Sequence, residues 1–295
     1  SRSGRELFKA KAFIDCTGYG DLAAYAGAKF SEPNDYPVVN SYGLANVDVE
    51  RVFQYLEKND AVKGYGYGTR SGEEDKLIRI NGIKPNLPEA FTRELKGVSF
   101  VTTTVQDNYF MFIKTNLKLR KSPTDRDAVT KAEIQIRENM QRSADAFKKY
   151  IPGMEKSFIA RTSPSLVIRR GRTIECDYDL TNQEITSATH FDDEVFNYGF
   201  HDHSPRFKIG KGETYGLPYR ALCVSGVSNL FACGMIITSD RDAHMSTRNT
   251  VSCMAQGQAV GTAAALCVKQ NAGTRDLKFS VLKDRLMKDK VYFEG

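Results

Sequence analysis

Arginines that could bind an anion occur at two places in the sequence. Arg169 and Arg172 belong to its densest basic cluster, and Arg220 stands among apolar residues at 215–224. A guanidinium group stays protonated and grips a carboxylate with two parallel hydrogen bonds, and a buried arginine needs such a partner. These three arginines are therefore candidate substrate-binding residues, and a solvated basic turn at 169–172 is the alternative.

Histidines provide the second set of candidates. His201 and His203 lie two apart in the segment FHDHS, so they would share one face of a strand. A metal needs further ligands, and no recognised spacing supplies them. One of these histidines could act as a general acid or base or bind a substrate, and a surface loop is the alternative. His244 and Arg248 are four apart and face one way if their segment is helical.

A glycine turn near the start follows an apolar strand candidate at 7–16. It contains Thr17, Gly18, Gly20 and Asp21 and precedes an alanine-rich helix at 22–28, of which Asp21 would be the N-cap. A strand, a glycine turn and a helix N-terminus form a place where a phosphate or a ribose can approach the backbone. An ordinary strand-to-helix turn is the alternative.

A second pair of elements lies near the end of the chain. Residues 230–237 predict a buried strand that contains Gly234, and residues 251–269 predict a helix that contains Gly257, Gln258 and Gly261. A glycine inside a helix costs ~1 kcal/mol relative to alanine, so a close approach of another backbone or of a ligand is expected. Two interpretations fit: a helix whose N-terminus faces an electron-rich cofactor, and a buried helix packed through small residues.

The composition and the motifs argue against a nucleic-acid-binding or membrane-spanning protein. The chain has 295 residues, a net charge of +6, 41% hydrophobic and 26% charged residues, which is typical of a globular protein with one large domain or two modest ones. The sequence contains no nucleic-acid-binding signature, no pattern of a signal peptide or membrane span, and six scattered cysteines without a CxxC pair, which favours buried free thiols. A small anionic molecule is the expected partner.

The order of elements predicts two domains. Residues 39–215 are expected to form an α+β region with antiparallel strands, which include 98–105 and 109–119, and a long helix at 124–150 that Thr124 or Asp125 caps. Residues 61–72 are rich in glycine and tyrosine and are expected to form a loop. Residues 1–38 and 216–295 are expected to form part of an α/β domain.

Three segments together resemble a known family, the FAD-dependent oxidoreductases with two dinucleotide-binding folds. DCTGYGDLAAYAGA resembles its second flavin-contacting motif, usually close to DATGDGDLAALAGA. IRRGRTIECDYDLT is similar to a substrate-domain segment, commonly IRESRRIVGEYTLT. LPYRALCVSGVSNLFACGMIITSDRDAHMSTRNTVSCMAQGQAVGTAAAL resembles its C-terminal signature, with an NLxxAG strand and a MALGQAAGTAAA helix.

The resemblance implies roles for the matching residues. Those near the adenosine or pyrophosphate of FAD would be Thr17, Gly18, Gly20 and Asp21. Gly234 would let the last strand pass close to the cofactor, and the isoalloxazine ring would be framed by Arg248, Gly257, Gln258 and Gly261. The substrate side would be lined by Arg169, Arg172, His203, Arg220 and His244. The implied reaction is a hydride transfer between a small polar or carboxylate-bearing substrate and the flavin.

The sequence also departs from the family pattern. It contains no strand followed by GxGxxG, Arg170 and Gly171 replace the usual acidic and serine positions, and Met235 stands where arginine is common. The expectation is an incomplete Rossmann-like FAD-binding domain with an inserted antiparallel-sheet substrate domain. The rest of the cofactor site would come from a missing N-terminal portion of the same protein. A flavin-free binding or structural module, possibly carbohydrate-related, is the alternative.

Overall fold

The computed structural model describes residues 4–84, 86–101, 103–202, 206–210 and 213–293. The chain forms two compact units: unit 1 contains Ser1–Asp35 and Arg169–Gly295, and unit 2 contains Tyr36–Ile168. Residues 169–215, which the sequence analysis grouped with the inserted domain, are therefore part of unit 1. They belong there because residues 173–174 pair with residues 30–31, and residues 194–198 pair with residues 215–218.

The first elements of unit 1 are β1 (Phe13–Asp15), α1 (Asp21–Tyr25) and β2 (Phe30–Ser31). Unit 2 contains β3 (Val38–Ala45), α2 (Val49–Lys58), β4 (Val62–Arg70), β5 (Glu73–Ile83), α3 (Glu89–Glu94), β6 (Val98–Ser99), β7 (Thr103–Gln106), β8 (Tyr109–Leu117), α4 (Arg126–Tyr150) and β9 (Phe158–Thr162). Unit 1 then continues with β10 (Thr173–Ile174), α5 (Asn182–Thr186), β11 (Glu194–Tyr198), β12 (Tyr215–Pro218), a 3-10 helix (Tyr219–Leu222), β13 (Leu230–Ala232), α6 (Arg241–Thr247), α7 (Thr250–Gln270) and α8 (Phe279–Lys288).

Unit 2 is built on an antiparallel sheet. Its strands follow the order β4-β5-β7-β8-β3-β9, and β6 pairs with β8. Helix α4 buries Ile136, Met140 and Phe147 in the core of this unit. The hydroxyl groups of Tyr42 on β3 and Ser143 on α4 hydrogen-bond at 2.6 Å inside that core. The predicted antiparallel sheet and long helix are thus confirmed, and Asp125 caps α4 by accepting from the Ala128 amide at 2.8 Å.

The prediction of a loop at 61–72 is wrong, because residues 62–70 form strand β4 at one edge of the sheet. The glycines that suggested a loop face the side chains of β5. A Cβ atom on Gly66 would lie 3.2 Å from Cβ of Arg79, and one on Gly68 would lie 2.8 Å from Cδ1 of Ile78. Glycine at 66 and 68 thus leaves room for the side chains of β5, and the alternating tyrosines occupy the other positions of a two-residue period.

Unit 1 combines helices with short strands. Strands β1 and β13 form a parallel pair in which Phe13 is opposite Leu230 and Asp15 is opposite Ala232. β1 is shorter than the predicted strand at 7–16, and Leu7 and Phe8 before it are 80% and 78% exposed. β13 ends before Gly234, whose φ of 90° leaves the extended region.

Helix α7 matches its prediction at 251–269 closely and contacts β1, β11 and α8. It is also the one helix of the described residues that is long and apolar enough to cross a membrane. Length and composition are weak evidence for a membrane span, because the core helix of a soluble protein satisfies the same criteria.

Candidate functional site

The carboxyl ends of β1 and β13 meet at one edge of unit 1. The backbone N–H of Cys233 donates to the carbonyl of Asp15 at 3.0 Å, which continues the parallel pairing one residue beyond the strands. The glycine turn that follows β1 and the glycine that follows β13 are thereby brought together. A Cβ atom on Gly18 would lie 3.4 Å from Cε of Met235, directly after Gly234. The glycine turn near the start of the chain and the end of the last strand are therefore neighbours in the structure.

The buried carboxylate of Asp15 holds the glycine turn in place. Its side chain has no exposed surface. One oxygen accepts hydrogen bonds from the Thr17 amide at 2.9 Å and the Thr17 hydroxyl at 2.8 Å, and the other accepts from the Ala23 amide at 2.8 Å. Between these anchors, Gly18 and Gly20 adopt φ values of 79° and 67°. Asp15 was not among the predicted site residues, although a carboxylate that ends an apolar strand before a glycine turn is a usable signal.

Asp21 is not the N-cap of α1, contrary to the prediction. The N-cap is Gly20 in the left-handed region, without a side-chain capping bond. Asp15 already accepts from the Ala23 amide in the first turn, so it supplies the acceptor that an N-cap side chain normally provides. The carboxylate of Asp21 instead accepts from Arg172 at 2.6 Å.

A second buried polar side chain, Gln256 of α7, fixes the other half of the edge. Its amide oxygen accepts from the Gly234 N–H at 2.7 Å. Its amide nitrogen donates to the Thr247 carbonyl at 2.9 Å and to the Ser252 hydroxyl at 3.2 Å. Gln256 therefore joins α7 to the end of β13 and to the end of α6. The sequence indicates only that Gln256 offers hydrogen bonds near the helical glycines, because its partners Gly234 and Thr247 lie outside its own helix.

The two helical glycines of α7 differ in their surroundings. A Cβ atom on Gly257 would lie 3.9 Å from Sγ of Cys233, which is an ordinary contact. A Cβ atom on Gly261 would meet no atom within 4 Å, and Gly261 is exposed, as is Gln258. Close packing within unit 1 therefore does not explain the glycine at position 261.

The junction of α6 and α7 presents hydrogen-bond donors. Asn249, the N-cap of α7, uses its side-chain amide to donate to the carbonyls of Met245 at 2.9 Å and Ser246 at 3.0 Å, so it makes no capping bond to α7. Within the described part of the chain, Oγ1 of Thr247 and Nε of Arg248 are buried and have no hydrogen-bond partner. These donors and the positive end of the α7 dipole suit an anionic or electron-rich group.

His244 lies inside unit 1 on α6 and has no exposed surface. Its Nε2 is 3.1 Å from the Met235 carbonyl, an acceptor, so Nε2 carries the proton. Burial, with smaller effects from the positive charges of Arg170 and Arg248, lowers the pKa of His244 from 6.5 to about 3. The imidazole is therefore neutral near pH 7, and it holds the segment that follows Gly234.

Two of the three candidate arginines form ion pairs with different carboxylates. Arg172 forms ion pairs with Asp21 and Glu32, and it stabilises the glycine turn. Arg220 forms an ion pair with Asp193, and its guanidinium lies 4.3 Å from the ring centre of Tyr178.

Neighbouring arginines have further roles in unit 1. Arg169 is half-buried. Arg170, which was not a candidate, is the most buried arginine of the cluster; it pairs with Asp35 at 2.9 Å and donates to Thr173 at 3.1 Å and to the Ser239 carbonyl. Arg248 forms an ion pair with Asp202. Each of Arg170, Arg172, Arg220 and Arg248 is thus engaged with a carboxylate of the protein.

Of the two histidines predicted as site residues at 201 and 203, the structure describes His201, and His203 lies outside the described residues. His201 is 2% exposed, and its Nε2 is 3.1 Å from the side-chain oxygen of Asn182. Over the described ranges, no group of three or more His, Cys, Asp or Glu side chains is arranged to hold a metal ion.

Comparison with known proteins identifies the family of this chain. A family model described as FAD dependent oxidoreductase matches residues 1–286, which is nearly the full length. The chain belongs to the FAD-dependent oxidoreductase family. Membership implies FAD as the cofactor and confirms the resemblance carried by the three sequence segments. No curated protein and no solved structure matches the chain significantly.

The replacement Asp15→Asn tests the anchor of the glycine turn. Asparagine places an amide group where two acceptors are needed, so at least one donor from Thr17 or Ala23 loses its partner. We expect the free energy of unfolding to fall by about 2–3 kcal/mol. Urea titration followed by circular dichroism measures it, since the chain has no tryptophan. The exposed Asp284→Asn on α8 is the control, with a change within about 0.5 kcal/mol; an equal loss in both variants would contradict the anchor.

The pH dependence of stability tests the state of His244. Its pKa is about 3 when folded and about 6.5 when unfolded, so the unfolded chain binds the proton more readily between these values. Stability is therefore lost as the pH falls below 6.5, by about 2 kcal/mol between pH 7 and pH 5. His244→Gln keeps a donor for the Met235 carbonyl but does not titrate. We expect the free energy of unfolding of this variant, from denaturant titrations, to lose about 2 kcal/mol less between pH 7 and pH 5 than that of the unchanged protein. Equal losses in the two proteins would refute the assignment.

Proposed function

We propose that this chain provides the substrate-binding part and the C-terminal part of the flavin site of an enzyme that transfers a hydride between a small polar substrate and FAD. One observation supports this proposal above the others. The uncapped N-terminus of α7 lies next to the partnerless donors of Thr247 and Arg248. Buried donors without acceptors are costly, and an electron-rich edge of a bound cofactor would satisfy them.

The residues of this edge suit different parts of FAD. Thr17, Gly18, Gly20 and Asp21 belong to a turn that hydrogen bonds to Asp15 hold in place, and we assign them to the adenosine or pyrophosphate. Gly234, whose φ is 90°, allows the backbone to pass close to the cofactor.

The remaining cofactor residues belong to α7 and its start. We assign Arg248, Gly257, Gln258 and Gly261 to the isoalloxazine ring, and of the two glycines Gly261 leaves the more open space. When bound, FAD supplies the site that accepts or donates the hydride. The N–H groups and the dipole of α7 would stabilise negative charge at that ring, and the neutral His244 holds the Met235 carbonyl by a hydrogen bond.

Completion of the site requires, we propose, a GxGxxG dinucleotide-binding unit that is not part of this sequence. In the part of the chain that the structure describes, β1 and β13 make a sheet of two strands. Helix α7 exposes apolar residues on one face: Val251 is 64%, Met254 is 70% and Val268 is 40% exposed. An apolar stripe of this kind is typical of an interface, and an added Rossmann unit would cover it and extend the sheet.

For the substrate, we propose a carboxylate or a similarly polar group with Arg220 as its contact, chosen from the predicted residues Arg169, Arg172, His203, Arg220 and His244. The Arg220 side chain is 40% exposed, whereas that of Arg172 is 17% exposed and tied to the glycine turn. Asp193 and the ring of Tyr178 hold the guanidinium in a fixed orientation, which reduces the entropy lost on binding.

Steady-state kinetics of the flavin-loaded enzyme test the role of Arg220. Arg220→Ala removes a charge-assisted hydrogen bond to the substrate, worth about 1.5–3 kcal/mol. We therefore expect KM to rise about tenfold or more for carboxylate substrates, with a smaller change for neutral analogues. Arg285→Ala on α8, which removes another exposed arginine paired with an aspartate, should leave KM unchanged. An unchanged KM in Arg220→Ala would refute the substrate contact.

Flavin retention by Gly261→Ala tests the cofactor site. The new methyl group meets no atom within 4 Å, so the flavin-free helix should gain about 1 kcal/mol of stability. Flavin binding should weaken if the cofactor approaches this position. Absorbance after gel filtration with added FAD, at about 370 and 450 nm, measures retention. The control Ser280→Ala on α8 should keep the binding of the unchanged protein, and equal retention in Gly261→Ala would contradict the assignment.

The same spectrum distinguishes the proposals for the unchanged protein. Stoichiometric flavin binding by this chain alone would support the function and overturn the need for a GxGxxG unit. Binding that appears only after such a unit is fused to the N-terminus would support both. A protein that stays colourless in both forms would overturn the flavin-dependent function and favour a flavin-free module.

A further inference from the structure

Cys16 and Cys233 occupy matching positions at the ends of the two parallel strands. Asp15 is opposite Ala232, and the Cys233 N–H donates to the Asp15 carbonyl at 3.0 Å, so Cys16 and Cys233 form the next pair in register. Paired strands lie about 4.8 Å apart, which falls within the range of about 4.4–6.8 Å for the Cα atoms of a disulfide. Residues opposite each other in register direct their side chains to the same face of the sheet.

The two thiols belong to neighbouring positions of the paired strands, and their exposure differs. The Cys233 thiol donates to the Cys253 carbonyl at 3.9 Å. Cys16 is exposed, whereas Cys233 is 6% exposed. Burial and the neighbouring Cys16 raise the pKa of Cys233, which keeps it in the thiol form. An oxidant in solution therefore reacts first with the accessible Cys16, and Cys233 is the neighbouring cysteine in register.

The other four cysteines are less suited to this chemistry. Cys253 is half-buried near Cys16, but its thiol donates to the Arg248 carbonyl at 3.3 Å. Cys176, Cys223 and Cys267 are buried in the core of unit 1. They provide internal controls within the same chain.

We propose that Cys16 and Cys233 form a reversible disulfide in response to hydrogen peroxide, as a redox-sensitive modification site beside the glycine turn. The Cys16 thiolate attacks one peroxide oxygen; the O–O bond breaks, Cys16 becomes a sulfenic acid and hydroxide leaves. The Cys233 sulfur then attacks the sulfenic sulfur. The S–S bond forms, the S–O bond breaks, and the hydroxyl group leaves as water with the Cys233 proton. Two thiols are oxidised, one peroxide is reduced to two waters, and a dithiol reverses the bond by exchange.

The bond would tie the turn at residues 16–20 covalently to the end of β13. The turn and Gly234 are the backbone segments that the proposed function assigns to FAD, so oxidation would restrict the movement of both. The disulfide itself requires no flavin, and its formation can be measured in the flavin-free chain. A failure to form the disulfide would therefore not contradict the proposed function. A failure to bind flavin would likewise not contradict the disulfide.

Thiol counting and peptide mapping of the full chain test the proposal. After treatment with a small excess of hydrogen peroxide and denaturation in an alkylating agent, we expect two of the six thiols to be lost and a Cys16–Cys233 cross-linked peptide to appear. Dithiothreitol should restore all six. Cys253→Ser should behave as the unchanged protein, with a loss of two thiols.

Two variants separate the roles of the pair. Cys16→Ser should abolish the loss of thiols, and Cys233→Ser should leave Cys16 as a sulfenic acid that dimedone captures, because no second sulfur follows. Cys233→Ala serves where serine disturbs the buried position, with circular dichroism as the check on folding. A Cys16–Cys253 cross-link, no loss of thiols, or equal dimedone capture in the unchanged protein and in Cys233→Ser would overturn the proposal.

Discussion

The buried carboxylate of Asp15 is the constraint on which the edge of unit 1 depends. A charge without exposed surface is stable only when strong donors surround it, and Asp15 receives two hydrogen bonds from Thr17 and one from Ala23. These bonds fix where the strand ends, how the turn bends and where helix α1 begins. The left-handed conformations of Gly18 and Gly20 follow from that geometry, because only glycine adopts them without steric cost.

Gln256 performs the corresponding task for the last strand and the last helices. Its amide accepts from Gly234 and donates to Thr247 and Ser252, so a single side chain sets the distance between β13, α6 and α7. Both halves of the edge are therefore organised by neutral or compensated buried polar groups. Arg170, Arg172, Arg220 and Arg248 each pair with a carboxylate of the protein.

Several groups that could bind or react with a ligand lie at this edge of unit 1. The α7 N-terminus offers backbone donors, the glycine turn holds Gly18 and Gly20 in the left-handed region, and Cys16 and Cys233 are neighbours in register. Parallel strands explain this convergence, because their carboxyl ends lie on the same side of a sheet and loops from distant parts of the chain meet there. The neutral His244 adds rigidity without charge, since burial lowers its pKa to about 3.

The sequence by itself determined the features that depend on neighbours in the chain. Helix α4 with its Asp125 cap, helix α7 and the hairpin of β7 and β8 follow from periodicity, capping and turn residues within a few positions. Three motifs in family order were also enough to indicate a flavoprotein, and the match over residues 1–286 confirms it.

Only the tertiary structure decided the features that depend on distant partners. β4 is a strand because β5 lies against its glycines, and Gly20 replaces Asp21 as the N-cap because Asp15 already accepts from Ala23. Gln256 has its role through Gly234, and Arg170 is buried because Asp35 lies beside it. Hydrogen bonds and ion pairs between residues far apart in sequence leave no local pattern. The roles of these residues therefore follow only from the folded structure.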